Sequence, residues 1–194
     1  MNSTIIFIDA GFLSKLSKYF GDGKHLKFDY INFCHYLAEN KNLNLKNIFY
    51  YTAPPFQSDK PTRDEISRKK GYDKFIQKFK KNKLVIIREG RVQRLINSKG
   101  DIEFNQKGVD TLMTLDLALI NYKSPEIKEL ILVTSDTDFC PVISELKKFN
   151  MKINLYTYSD KKRDSNFVLS SHLIDCCEDV EYLKKEDMLK FLLK

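Results

Sequence analysis

Two carboxylates, Asp136 and Asp138, stand one residue apart at the end of an apolar run in the stretch ELILVTSDTDFCPVI, Glu129–Ile143. A third acid, Asp9, directly follows the first apolar run, Ile5–Ile8. A single Asp in that place is commonly a helix N-cap, and Ser135 and Asp136 both suit that role here. Three carboxylates brought to one place repel one another, and such a set persists when a cation neutralises it. Hard oxygen donors in that number suit Mg2+ or Mn2+ better than zinc. A fourth acid comes from NQKGVDTLMTLDLALINY, where Asp110 falls in the first turn of a predicted helix beside Lys107 and Gly108. Asp116 lies six residues further on, about 120° round the same helix, so the two cannot share a face. Geometry therefore favours Asp110 as a ligand and leaves Asp116 as a solvated or locally paired acid.

For these acids to meet, the strands before them must share one sheet and one rim. Ile5–Ile8 reads as a buried strand ending at Asp9, Asn47–Thr52 as an aromatic-rich strand, and Leu84–Arg88, Leu130–Thr134 and the run KINLYTY as three more. Between them, DYINFCHYLAEN spaces its apolar residues helically behind a capping Asp29, and Thr62 with Glu65 fits a capping box opening a long basic helix to about Lys81. GRVQRLINSKGDIEF predicts a hairpin turning at Ser98-Lys99-Gly100. Helices are expected from Val109 to Asn121 and from Phe139 to Phe149, and helical segments are expected to finish the chain. Strands alternating with helices predict one α/β domain, residues 1–194, with a mostly parallel sheet covered on both faces. In such a sheet the ligand crevice lies beyond the carboxyl ends of the strands, which puts Asp9, Asp136 and Asp138 on one rim.

Composition narrows the function classes. With 42% hydrophobic and 30% charged residues the chain folds rather than remaining disordered. No apolar run approaches the ~20 residues of a membrane span, and the N-terminal stretch lacks the basic start of a signal peptide, so a cytoplasmic chain is expected. The four cysteines form no C-x-x-C pair and the three histidines are scattered, which speaks against zinc and against His-based nucleophilic catalysis. The net charge is +7, with cations gathered in Ser67–Lys83, in Arg88–Arg94 (Arg88, Arg91 and Arg94) and in Asp160–Asp164. That charge suits a polyanionic partner such as nucleic acid.

The segments FIDAGFL, KGVDTLMTLDLAL, LVTSDTDFCPVISELKKFNMKINLY and SSHLIDCCEDVEYL, in that order along nearly the whole chain, resemble the NYN family in its LabA-like (DUF88) branch. That family lies within the wider PIN-like nuclease superfamily. The resemblance implies a Rossmann-like three-layer α/β/α sandwich and an acidic centre using Mg2+ or Mn2+. It implies a ribonuclease whose metal ligands and catalytic acids are Asp9, Asp110, Asp136 and Asp138, with Asp116 matching a further acid of the motif. Ser135 falls on the Ser of the S-x-D-x-D-F block, where its hydroxyl is expected to shape the rim. Lys107, Arg88 and Arg91 are the residues expected to hold substrate phosphates, and the expected partner is single-stranded RNA. The sequence is compatible with a monomer or a homodimer.

One position departs from the pattern. Many members carry Asn three residues after the first Asp, and here that residue is Phe12. The departure implies a leaner centre and gives an alternative reading, a non-catalytic RNA-binding or regulatory adaptor that retains the fold. Haloacid-dehalogenase phosphatases also begin with Asp after a first strand, but they need a second Asp two residues on, where this chain has Gly11.

Overall fold

The first apolar run forms the middle of β1 (Asn2–Asp9), with Ile5, Ile6, Phe7 and Ile8 all removed from solvent. The computed structural model describes residues 1–160, 167 and 170–193 of the chain. Three of the four residues of the third basic segment's Lys-Lys-Arg-Asp run are cations, and that run, 161–164, lies outside the described residues. Successive β1 side chains point to opposite faces, so Ile6 and Ile8 enter one core and Ile5 and Phe7 the other. A strand buried on both faces has no room for polar alternation, which is why this stretch is continuously apolar.

The remaining elements follow in order: α1 (Ala10–Phe20), α2 (Tyr30–Glu39), β2 (Leu43–Thr52), α3 (Arg63–Phe79), β3 (Val85–Glu89), β4 (Arg91–Ile96), β5 (Ile102–Lys107), α4 (Val109–Ala118) and α5 (Ile120–Lys123). Then come β6 (Glu129–Val133), a short 3-10 turn (Thr137–Phe139), α6 (Cys140–Lys148), β7 (Lys152–Thr157), α7 (Ser171–Cys176), β8 (Asp179–Tyr182) and α8 (Lys185–Leu189). Six strands make one sheet in the order β3-β2-β1-β6-β7-β8, each neighbouring pair parallel. Counting only these strands along the chain, that is the 3-2-1-4-5-6 order of a doubly wound fold. Leu13 and Leu16 of α1, Phe33 and Leu37 of α2 and Phe79 of α3 cover one face. Met113 and Leu117 of α4, Ile143 and Leu146 of α6 and Leu173 of α7 cover the other. The protein is therefore an α/β sandwich around a parallel sheet, as the sequence predicts.

Local signals explain where elements begin. Asp29 caps α2 by accepting from the Ile31 and Asn32 amides, and Thr62 with Glu65 completes the capping box of α3. β4 and β5 form the expected antiparallel hairpin, apart from the main sheet, with Gly100 at φ 86 in its turn. Two elements were not expected. α1 follows β1 without a break, capped by Asp9 itself, and β8 adds a short edge strand where helix was predicted. Among the described residues no helix is long and apolar enough to cross a membrane.

Candidate active site

The strand order changes direction at β1, which has β2 on one side and β6 on the other. Ile8 of β1 lies in register with Val133 of β6, so the residues just past these partners emerge side by side at the carboxyl rim. Asp9 is the last residue of β1 and the N-cap of α1, with Oδ1 accepting the Phe12 amide at 3.1 Å. Thr134, immediately after β6, donates its hydroxyl to Asp9 Oδ2 at 3.3 Å and accepts the Asp136 amide at 3.2 Å. Asp136 in turn caps the 3-10 turn by accepting the Asp138 amide at 2.9 Å. Thr134 thus ties the two acid-bearing strand ends together. Sequence reasoning passed over it in favour of Ser135, although a Thr closing a buried strand in VTSDTD is a visible signal.

Asp110 arrives from a third segment. Gly108, at φ 81, turns the chain out of β5 into α4, a backbone shape that favours glycine, and Asp110 follows in the first helical turn. Asp9, Asp110 and Asp136 then line one cleft of about 620 Å³, with Ser135 and Thr137 on its rim. Lys15 of α1 and Phe104, Asn105 and Gln106 of β5 complete its walls. Gly11 keeps the floor open, because a Cβ there would stand 3.1 Å from Asp9 Oδ1 and 3.7 Å from Gln106 Oε1. Asp138 is exposed and does not line the cleft.

The electrostatics carry the mark of crowded acids. Burial pushes the Asp9 carboxyl up, and the charge of Asp110 pushes the same way, against the lowering pull of the amide and Thr134 hydrogen bonds. Burial also raises Asp110, followed by the charges of Asp136 and Asp138. The cleft thus stores repulsion that a cation would relieve.

Besides Asp138, four expected site residues lie elsewhere. Asp116 is buried, accepting from Arg88 Nε at 2.7 Å, Arg88 Nη2 at 3.4 Å, Lys123 Nζ at 3.1 Å and the Tyr51 hydroxyl at 3.1 Å. The helical offset from Asp110 turns it towards β2 and β3, where it pairs with Arg88. Neither residue lines the cleft. Lys107 and Arg91 stand opposite each other in the hairpin, exposed, and also outside the cleft lining. Among the described residues the lysine that lines it is Lys15, missed because α1 was not read as a helix. Phe12 is 5% exposed, packed into the core at the edge of the cleft it lines. The Gln106 side-chain amide supplies a polar group there instead.

Acids from three chain segments converge at the switch point of a doubly wound sheet, and the family model for the NYN domain matches residues 3–183. The chain belongs to the NYN family. NYN domains lie within the PIN-like nuclease superfamily. Among solved structures, this NYN chain is similar to a protein of unknown function from Vibrio parahaemolyticus, at 20% identity and a TM-score of 0.61, covering 99% of this chain and 96% of the other. That likeness concerns the fold. Among curated proteins none matches the sequence.

Divalent ions are general in PIN-like nucleases, and the cleft can be tested for one. Among the described residues no three His, Cys, Asp or Glu side chains form a ready-made ligand group. The donors are nevertheless of the right kind, carboxylates that burial, and after it the charge of neighbouring acids, pushes above their ordinary titration range. Mg2+ characteristically keeps several waters and uses one or two carboxylates together with substrate phosphate, rather than an all-protein cage. An open, acid-lined cleft fits that mode of binding.

Proposed function

We propose that this NYN protein is a Mg2+- or Mn2+-dependent ribonuclease that hydrolyses phosphodiester bonds of single-stranded RNA in the cytoplasm. The observation that supports it most is the convergence of Asp9, Asp110 and Asp136 in one cleft with the Asp9 and Asp110 carboxyls raised by burial and by neighbouring acids. The choice of RNA, and membership of the LabA-like branch, rest on the K-G-V-D and S-x-D-x-D-F motifs. Four unpaired cysteines support a reducing compartment.

Asp9, Asp110 and Asp136 would hold the ion from within the cleft, with Asp138 at its edge. Bound there, a divalent ion supplies Lewis acidity that activates water and neutralises charge developing on phosphate. The chain's own groups orient that chemistry. The Phe12 amide and the Thr134 hydroxyl fix the two Asp9 oxygens, and Asp136 is held by its cap to the Asp138 amide. Lys15 offers a flanking phosphate a charge without sequence choice.

Asp136→Asn is expected to abolish metal-dependent cleavage of labelled single-stranded RNA while leaving the melting temperature in place. Undiminished cleavage by that variant would refute the catalytic assignment. Wild-type protein that binds RNA yet never cleaves it with Mg2+ or Mn2+ would establish the adaptor reading, which the lack of a ready-made three-ligand group among the described residues favours.

A further inference from the structure

The β4–β5 hairpin stands outside the six-stranded sheet and carries more apolar surface than a free hairpin needs: Ile96 is 70% exposed, Ile102 50% and Phe104 49%. Residues directly opposite in an antiparallel pair point to the same face. The register therefore sorts Val92 with Gln106, Arg94 with Phe104 and Ile96 with Ile102 on one face. Val92 packs against the core and Gln106 and Phe104 line the acidic cleft, so this face is turned inward over the site. Arg91 and Lys107 pair on the other face.

We propose that the inward face of this hairpin is a single-strand subsite, in which Phe104 stacks an unpaired base beside the acids and Arg94 holds an adjacent phosphate. The proposal rests on the nucleic-acid reading above and adds to it which element grips the strand. Phe104 is suited to stacking because its ring is steadied by a tilted contact with Phe56, with centroids 5.4 Å apart, while half of its surface stays open. Arg94, directly across the ladder, makes no ion pair among the described residues, in contrast to Arg88. An aromatic face next to a free guanidinium is the pairing that unspecific single-strand sites use, since every base has a π-face and every linkage a charge. Lys15 on the opposite wall complements the same strand. A duplex cannot present an unstacked base to Phe104, so the subsite also selects single strands.

The test uses a short oligouridylate carrying one 2-aminopurine, titrated with the full-length protein in Ca2+. Wild type is expected to quench the 2-aminopurine on binding. Phe104→Ala should lose the quench and weaken single-strand affinity roughly 5- to 150-fold, from a stacking contribution of about 1–3 kcal/mol per base. Phe104→Tyr should keep both, and Phe104→Leu, which retains apolar bulk for the hairpin, should lose the quench. Arg94→Ala should flatten the salt dependence by about 0.7 in the log–log slope, one phosphate contact on a single strand. Wild type that binds while Phe104→Ala and Phe104→Leu bind and quench equally well would overturn the stacking assignment alone. Wild type that binds no oligonucleotide would overturn the nucleic-acid reading with it. A concentration-dependent dimer broken by Ile96→Ser would show a second copy covering this face and would also overturn the proposal.

Discussion

Removing the Asp116 carboxylate separates its structural role from the ligand role that the family motif suggested. Its four contacts come from side chains of very different exposure. Tyr51 is fully buried, and Asp116→Ala leaves its hydroxyl without an acceptor, at a cost of about 1–3 kcal/mol. Arg88 and Lys123 are 34% and 48% exposed, so water resolvates them and their ion pairs add about 1 kcal/mol together. The expected loss is about 3 kcal/mol, and at roughly 2–4 °C per kcal/mol for a chain of this length it lowers the melting temperature by about 6–12 °C. Asp116→Asn keeps an oxygen for Tyr51 and Arg88 and should lose about half as much. Thermal unfolding by circular dichroism gives these shifts, and Mn2+ titration of the folded variant gives the ligand role. The reasoning fails if Asp116→Ala melts with the wild type but no longer binds Mn2+ or cleaves RNA, because Asp116 would then belong to the site.

Asp110 should behave in the opposite way. Its carboxyl titrates above the ordinary 3.8, so the folded state keeps the proton longer than the unfolded chain; the stability this gives is complete below 3.8 and is lost as pH rises through the folded value. Asp110→Asn should therefore match the wild type in acid, melt at or above it at neutral pH, and lose that advantage in millimolar Mn2+, which stabilises only the wild type; a variant that melts below the wild type at neutral pH without the ion contradicts this. All four cysteines are buried with raised thiols, Cys177 to about 11 and Cys140 to about 12, so an exposed-thiol reagent at neutral pH should label none before denaturation and four after it. Fast labelling of the native protein would refute that packing.

The parallel sheet was legible because its central strands are buried on both faces and stand out as apolar runs. The caps at Asp29 and Thr62 were legible because capping is local chemistry. α1 was not, even though Phe12, Leu13, Leu16 and Phe20 keep helical spacing. It starts with no loop after β1, because Asp9 ends the strand and is itself the cap of the helix. β8 left little trace because as an edge strand it buries almost nothing, with only Val180 half-buried. The fate of Asp116 and Arg88 was beyond reach for a different reason. A motif match fixes an acid's place in the chain, whereas its partners depend on how α4 is turned against β2 and β3, and that is settled by packing across the fold.

Phe12 shows how such packing redistributes a site. Three residues past the capping Asp9, it lies in the first turn of α1, where one side chain can either fill the core or face the cleft. In this chain its ring is 5% exposed and packs into the core while edging the cleft, so α1 reaches the acids through the Phe12 backbone amide and not through a polar side chain at that position. The polar side chain over the Asp9 floor comes from Gln106, whose oxygen is 3.7 Å from where a Gly11 Cβ would stand, with Asn105 beside it in the lining. Those residues belong to the hairpin and not to the sheet that carries the acids. The hairpin is seated by the Gly90 amide on the Thr52 carbonyl at 2.8 Å and by Val92 in the core, while its tip is solvent-exposed. The carboxylates are thus held at the rim of the main sheet, and the groups proposed to meet a substrate are held by the separate hairpin. Substitutions along the inward hairpin face should consequently change substrate binding while leaving the carboxylates, and the ion they would hold, where they are.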